Sequence, residues 1–135
     1  MKANGTCSVA KWDEKDFSLL PNEMKITKAD IEYSITGDIE GMAVVQYVMF
    51  YSHFNNSDPH ESSAKYVGLI QFSGNISGKP GSFVFEDNGT FKSGSADSKI
   101  KIINNSGTAD LKSIQGKGWY RANKDGFHIE LDYTL

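Results

Sequence analysis

The chain has 135 residues, 39% of them hydrophobic and 23% charged, with a net charge of -3 and three prolines. That composition is ordinary for a globular protein, and the length suits a single domain, residues 1–135, that buries roughly two thirds of its unfolded surface. An acidic balance argues against nucleic acid, which needs a clustered positive field. No apolar run reaches the roughly 18 residues of a membrane-spanning helix.

The polar first ten residues read straight into a strand, so no secretory signal is expected. A lone Cys7 excludes an intrachain disulfide and suits a reducing, cytoplasmic setting. Residues 5–11 form the first strand, with Cys7 and Val9 on one face. Residues 13–24 hold Phe17, Leu19, Leu20 and Pro21 irregularly and read as a loop lying across an opening. Residues 25–36 alternate cleanly, Ala29, Ile31, Tyr33 and Ile35 against Asp30, Glu32, Ser34 and Thr36. That period of two marks a half-buried strand.

Strand 42–51 is apolar on both faces. Met42, Val44, Val48 and Phe50 occupy one, with Gln46 among them; Ala43, Val45, Tyr47, Met49 and Tyr51 occupy the other. One face of an antiparallel sheet meets the core, so the second needs a cover. The candidates are the Phe17 loop, the turn at Leu111, or a second subunit. The last implies a homo-oligomer, dimer or trimer, through 42–51, with Val45 and Met49 as its test positions.

Residues 53–63 read as a polar loop, and its His53, Asp58, His60 and Glu61 match no metal spacing. Strands then follow at 64–74, 81–91 and 94–103. A glycine turn leads into one short helical turn near 109–114, where Leu111 and Ile114 lie three apart on one side. Strand 116–122, an Asp125-Gly126 hairpin signal of type I′, and a last strand complete the chain. In that last strand Phe127, Ile129, Leu131, Tyr133 and Leu135 alternate with His128, Glu130, Asp132 and Thr134 without exception.

Eight strands joined mostly by short glycine turns predict an all-β fold, a single antiparallel eight-stranded barrel, lipocalin-like in general shape, in preference to a two-sheet sandwich. Such a barrel fills its interior with side chains or holds one small ligand. Several segments carry a resemblance: Gly5-Thr6 with Lys11-Trp12-Asp13-Glu14, the run Ser34 to Gly41, Gly81-Ser82-Phe83-Val84-Phe85, Gly89-Thr90-Phe91, Ser106-Gly107-Thr108 with Leu111, and Leu131-Asp132-Tyr133. Together they resemble a bacterial family of unknown function whose barrel is similar to that of allene oxide cyclase and, distantly, of dirigent proteins. The resemblance implies an eight-stranded barrel, quite plausibly oligomeric, and little about activity, since a shared fold does not carry function. The family pattern has a glutamine and a histidine where this chain has Glu86 and Asp87, so a site built on that histidine does not carry over.

No Gly-x-Ser-x-Gly, His-Glu-x-x-His, phosphate loop or cysteine pair is present, so no catalytic residue, metal or cofactor is assigned. Cys7 reads as a small buried hydrophobe and His128 as a surface residue. Asp87 shares a parity with Phe83, Phe85 and Phe91: either the strand has ended and it meets water, or it faces the interior with a raised pKa. Tyr33, Gln46, Asp87 and Tyr133 are the candidate ligand contacts. The expected function is binding of a small apolar molecule inside the barrel. The alternatives are an isomerase or cyclase acting on a hydrophobic molecule, and a structural homo-oligomer without ligand.

Overall fold

A computed structural model describes residues 1–55, 57, 58 and 61–135. Eight strands follow one another: β1 Lys2–Leu19, β2 Lys25–Gly37, β3 Ile39–His53, β4 Ser63–Ile76, β5 Lys79–Lys92, β6 Ser95–Ile102, β7 Gln115–Asn123 and β8 Gly126–Thr134. Each pairs antiparallel with its sequence neighbour, and β1 pairs with β8 to close the barrel. The expected barrel is therefore the fold, with a 3₁₀ turn at Ala109–Leu111.

Alternation sets which side chains turn inward. Phe72, Phe83 and Phe85 form a ring cluster with centroids 5.2 and 5.7 Å apart, and Ile129 and Leu131 face it from β8. Each such side chain taken out of water contributes roughly 1.5–3 kcal/mol. Between β4 and β5 the turn residues Ser77 and Gly78 both have positive φ (49° and 84°), and Ser93 and Gly94 repeat this between β5 and β6 (53° and 77°). Those are type I′ turns, whose twist matches the flanking strands. The β7–β8 hairpin departs from the expected Asp125-Gly126 turn. Asn123 pairs with Gly126, and the Asn123 side-chain oxygen accepts from the Asp125 amide at 2.8 Å.

One end of the barrel is plugged. The strap after β6 is tied to β5: the Thr108 amide donates to the Ser82 carbonyl at 2.9 Å, and the Val84 amide donates to Ser106 Oγ at 3.0 Å. Anchored there, the 3₁₀ turn drops Leu111 and Ile114 into the barrel, both fully buried. A Cβ on Gly81 would strike the Thr108 carbonyl and Leu111, so a glycine is needed where the strap crosses the strand.

The other end is open, and here two expectations are corrected. Residues 13–24 are not a loop over the opening. β1 runs on to Leu19, because β2 pairs with it along its whole length, whereas β8 pairs only with Lys2–Thr6. Phe17 and Leu19, 62% and 75% exposed, cover nothing in the core. A register shift at Ala10 accompanies the change, and Val9 ends up exposed although Cys7 is buried. The second correction concerns β3. Ala43, Val45, Tyr47, Met49 and Tyr51 point into the barrel, and Met42, Val44, Gln46, Val48 and Phe50 point out. Val45 and Met49 are thus core residues, not interface positions.

Candidate functional site

Four inward positions on adjacent strands lie opposite one another in register: Tyr47 on β3, Gly68 on β4, Asp87 on β5 and Ile100 on β6. The next inward row toward the open end holds Met49, Tyr66, Gly89, Ser98 and Tyr120. Tyrosine therefore stands opposite glycine twice. A Cβ on Gly68 would overlap the Tyr47 ring, and one on Gly89 would overlap the Tyr66 ring and Ser98 Oγ. The absent side chains are what let two phenol rings lie across the strands.

The hydroxyls of these rings meet. The Tyr47 hydroxyl is hydrogen-bonded to Asp87 Oδ2 and lies 2.6 Å from the Tyr120 hydroxyl. Tyr120 donates to Tyr66 at 3.2 Å, and Tyr66 lies 2.6 Å from Ser98 Oγ. The Tyr47 and Tyr66 rings are edge-on at 5.0 Å. The result is a chain of hydroxyls, buried in an otherwise apolar barrel, ending on a carboxyl group.

Asp87 is 2% exposed, because β5 does not end before it but continues to Lys92. Burial raises its pKa, against the opposing pull of the hydrogen bonds from Tyr47, Tyr120 and Ser98 and of the Lys65 charge. Burial likewise holds the Tyr47 and Tyr120 phenols well above their ordinary range, and pushes Tyr66 to about 12. All three stay protonated at neutral pH. Burial also drives Tyr33 well above the ordinary phenol value, with the neighbouring charges of Cys7 and Asp87 adding to it. The Tyr33 hydroxyl and Asp87 Oδ1 are the two buried side-chain polar atoms, among the described residues, without a hydrogen-bond partner.

The four expected contacts thus separate. Tyr33 and Asp87 share the interior and act on each other electrostatically. Tyr133 is buried too, but opposite Gly116, one inward position nearer the plug than Leu131, and none of the cluster's hydrogen bonds reaches it. Gln46 is on the outer face and is exposed, so it is no part of an interior site; its register partners are Asp30 on β2 and Leu69 on β4. Tyr47, Tyr66, Tyr120 and Ser98 were not among the expected contacts. Cys7 is inert, its thiol pushed by burial to about 12. In the 53–63 loop, His60 lies outside the described residues, and His53 Nδ1 sits 3.8 Å from Glu23 Oε2. Among the described residues, no three His, Cys, Asp or Glu side chains gather to hold a metal.

Above the cluster, the open end forms a mouth of about 1110 Å³ lined by Met49, Tyr51, Phe54, Phe91, Ala96 and Ala122 among others. Glu14 is fixed at its rim, accepting from Thr27 Oγ1 and the Tyr51 hydroxyl, both at 2.7 Å, and from the Trp12 indole at 3.2 Å. Phe127, which pairs with Ala122 of the mouth, lies against Tyr33 and Tyr120 at 5.1 and 5.4 Å.

The family profile of a protein of unknown function, DUF3224, matches residues 3–134, nearly the whole chain. The chain belongs to the DUF3224 family. Among solved structures, this DUF3224 chain is similar to a protein of unknown function from the same family in Shewanella oneidensis MR-1. The TM-score is 0.82 at 18% identity, over 100% of this chain and 96% of that one. At that identity the likeness shows a shared barrel. No curated protein matches the chain. Among the described residues of this DUF3224 protein, no helix is long and apolar enough to cross a membrane.

Proposed function

We propose that the barrel binds a small, mostly apolar molecule in its interior, with one polar group of that molecule held by Tyr33 and Asp87. The observation that carries the reading is the pair of unpartnered polar atoms, the Tyr33 hydroxyl and Asp87 Oδ1. A buried polar group without a partner costs about 1–3 kcal/mol, and two in one apolar interior call for a common partner. The mouth supplies room for the apolar body, its walls mixing aromatic and aliphatic side chains with the charged Glu14, Asp16, Lys25, Lys124 and Asp125. With its lone reduced cysteine the protein would act in the cytoplasm.

Native mass spectrometry on freshly purified protein, followed by denaturing extraction, tests this. The expected result is an added small-molecule mass that survives gentle ionisation and is recovered in the extract. Protein that is ligand-free, and that takes up no apolar probe such as 2-naphthol on titration, would contradict it. An allene-oxide-cyclase-like isomerase or cyclase is the alternative use of the same interior. It is favoured by the protonated hydroxyls around the site, which hold an intermediate in one geometry without needing a strong base.

A separate observation supports self-association. On the outer face Val44 and Val48 of β3 lie beside Val67 and Leu69 of β4, with Val48 46% and Leu69 52% exposed. An apolar stripe flanked by Lys28, Asp30, Glu86 and Lys99 has the pattern of an interface with a charged rim. Val48→Asp with Leu69→Asp is expected to leave the fold intact and convert the oligomer to monomer in size-exclusion light scattering. An unchanged mass would remove this stripe as the interface. By contrast Val45→Asp, at a fully buried position, is expected to prevent folding.

A further inference from the structure

Each hydroxyl has one proton to give, and that count fixes the role left to Asp87 Oδ1. Tyr120 gives its proton to Tyr66, so the Tyr47 proton fills the 2.6 Å contact with Tyr120. In a neutral Asp87 the bond between Oδ2 and Tyr47 then takes its proton from the acid, on Oδ2, and Oδ1 is left an acceptor. An ionised Asp87 draws the donors round toward itself, Tyr47 to Oδ2, and both of its oxygens accept. The role of Oδ1 is the same whichever charge Asp87 carries. Asp87 is 2% exposed, and Oδ1 has no donor. Its register neighbours, Gly68 on β4 and Ile100 on β6, bring no polar side chain. Ser98 Oγ, bonded to the Tyr66 hydroxyl, makes no hydrogen bond to Oδ1. A buried acceptor without a donor is matched by a ligand that gives a proton, not by one that takes it.

We propose that the barrel selects its ligand by a single O–H or N–H group that donates to Asp87 Oδ1, so that apolar phenols, alcohols and indoles are the class it takes. The assignment rests on the interior being a ligand site and adds the polarity of the head group. A ketone, an ether or a hydrocarbon offers no proton and leaves Oδ1 unmet. An ammonium brings three donors, whereas Oδ1 and the Tyr33 hydroxyl are the two buried side-chain polar atoms left open among the described residues. At least one of its N–H groups stays unmet in apolar surroundings, which is costly.

The test titrates four 2-substituted naphthalenes into the intact protein by calorimetry: 2-naphthol, 2-methylnaphthalene, 2-methoxynaphthalene and 2-naphthylmethylammonium. 2-Naphthol is expected to bind at least about tenfold more tightly than the methyl and methoxy compounds, because a site with a buried acceptor discriminates against an analogue that lacks the donor. Asp87→Leu removes the acceptor and is expected to erase that preference while the methyl compound still binds. Circular dichroism confirms that the variant is folded. If it is not, the wild-type protein carries the test: the Asp87 carboxyl carbon is expected to shift on saturation with 2-naphthol by more than with 2-methylnaphthalene. Equal binding of the three neutral compounds, or an equal carbon shift, would overturn the donor assignment and leave the interior as a ligand site. Tightest binding of 2-methoxynaphthalene would overturn it by showing an acceptor head. A preference for 2-naphthol that survives in folded Asp87→Leu would overturn it by placing the head elsewhere. Tightest binding of the ammonium would overturn the single donor. Binding of none of the four would overturn the ligand site itself, and this inference with it.

Discussion

Leu111→Ala is expected to lower the unfolding free energy by about 3 kcal/mol, within the roughly 2–5 kcal/mol range for deleting a buried leucine side chain. Leu111 is wholly buried at the plugged end, and it is held there by a strap rather than by a strand. The strap's bonds to Ser82 and Val84 fix its backbone, so the surroundings have little freedom to collapse into the space left behind. Equilibrium urea unfolding, read as a lower midpoint with unchanged slope, gives the number. A loss under about 1 kcal/mol would show that the plug is a surface flap and the barrel is closed by its strands alone.

Asp87→Asn is expected to stabilise the protein, and more so as pH rises. Asp87 titrates higher in the folded chain than its ordinary value of 3.8, because burial penalises its charged form. The folded state therefore holds the proton more strongly than the unfolded state does. The stability this gives is fully present below 3.8 and is lost as pH rises through the folded value. Between 3.8 and the folded value the wild-type chain loses up to about 1.4 kcal/mol per pH unit from this one group. Asparagine has no proton to lose, and its side-chain oxygen still accepts from Tyr47. The melting-temperature difference between variant and wild type should therefore widen as pH rises from 3.8 to the folded value. A difference constant across that window would mean that Asp87 does not change its protonation on unfolding.

How much of this was legible in the sequence differs from strand to strand. β8 could be read residue by residue, because one of its faces meets the core and the other is polar, so a period of two has a single solution. The plug was legible too, since Leu111 and Ile114 stand three apart after a glycine turn in a chain otherwise patterned as sheet. β3 was not resolved, because an outer apolar stripe and an inner apolar face alternate with equal conviction, and Gln46 was carried onto the wrong side with them. The far half of β1 was missed for a related reason. Glu14 and Asp16 occupy inward parity at an open mouth, where carboxylates are tolerated, so the alternation there carries charge on both faces.

The site itself was half legible. Parity placed Asp87 on the face of Phe83 and Phe85, and the open question was whether the strand reached it; β5 does. The tyrosine chain was not legible, because its signal is register. Tyr47 opposite Gly68 and Tyr66 opposite Gly89 become meaningful only once β3, β4 and β5 are aligned. Taken along the chain, Gly68 and Gly89 look like ordinary interruptions of strands, which glycine weakens unless something packs into the gap it leaves. Here aromatic rings do, and that packing links hydroxyls from four strands into a chain that ends on one carboxyl group.

The claim on which the rest depends is that Asp87 sits in the barrel interior as a neutral acid. Carbon-13 NMR of the side-chain carboxyl groups, followed through a pH titration of the free protein, tests it most directly. The Asp87 carboxyl carbon is expected to keep the shift of a protonated acid at pH values above 3.8, the ordinary value for the group. A titration midpoint at or below 3.8 would place a carboxylate inside the barrel throughout the neutral range and contradict the account.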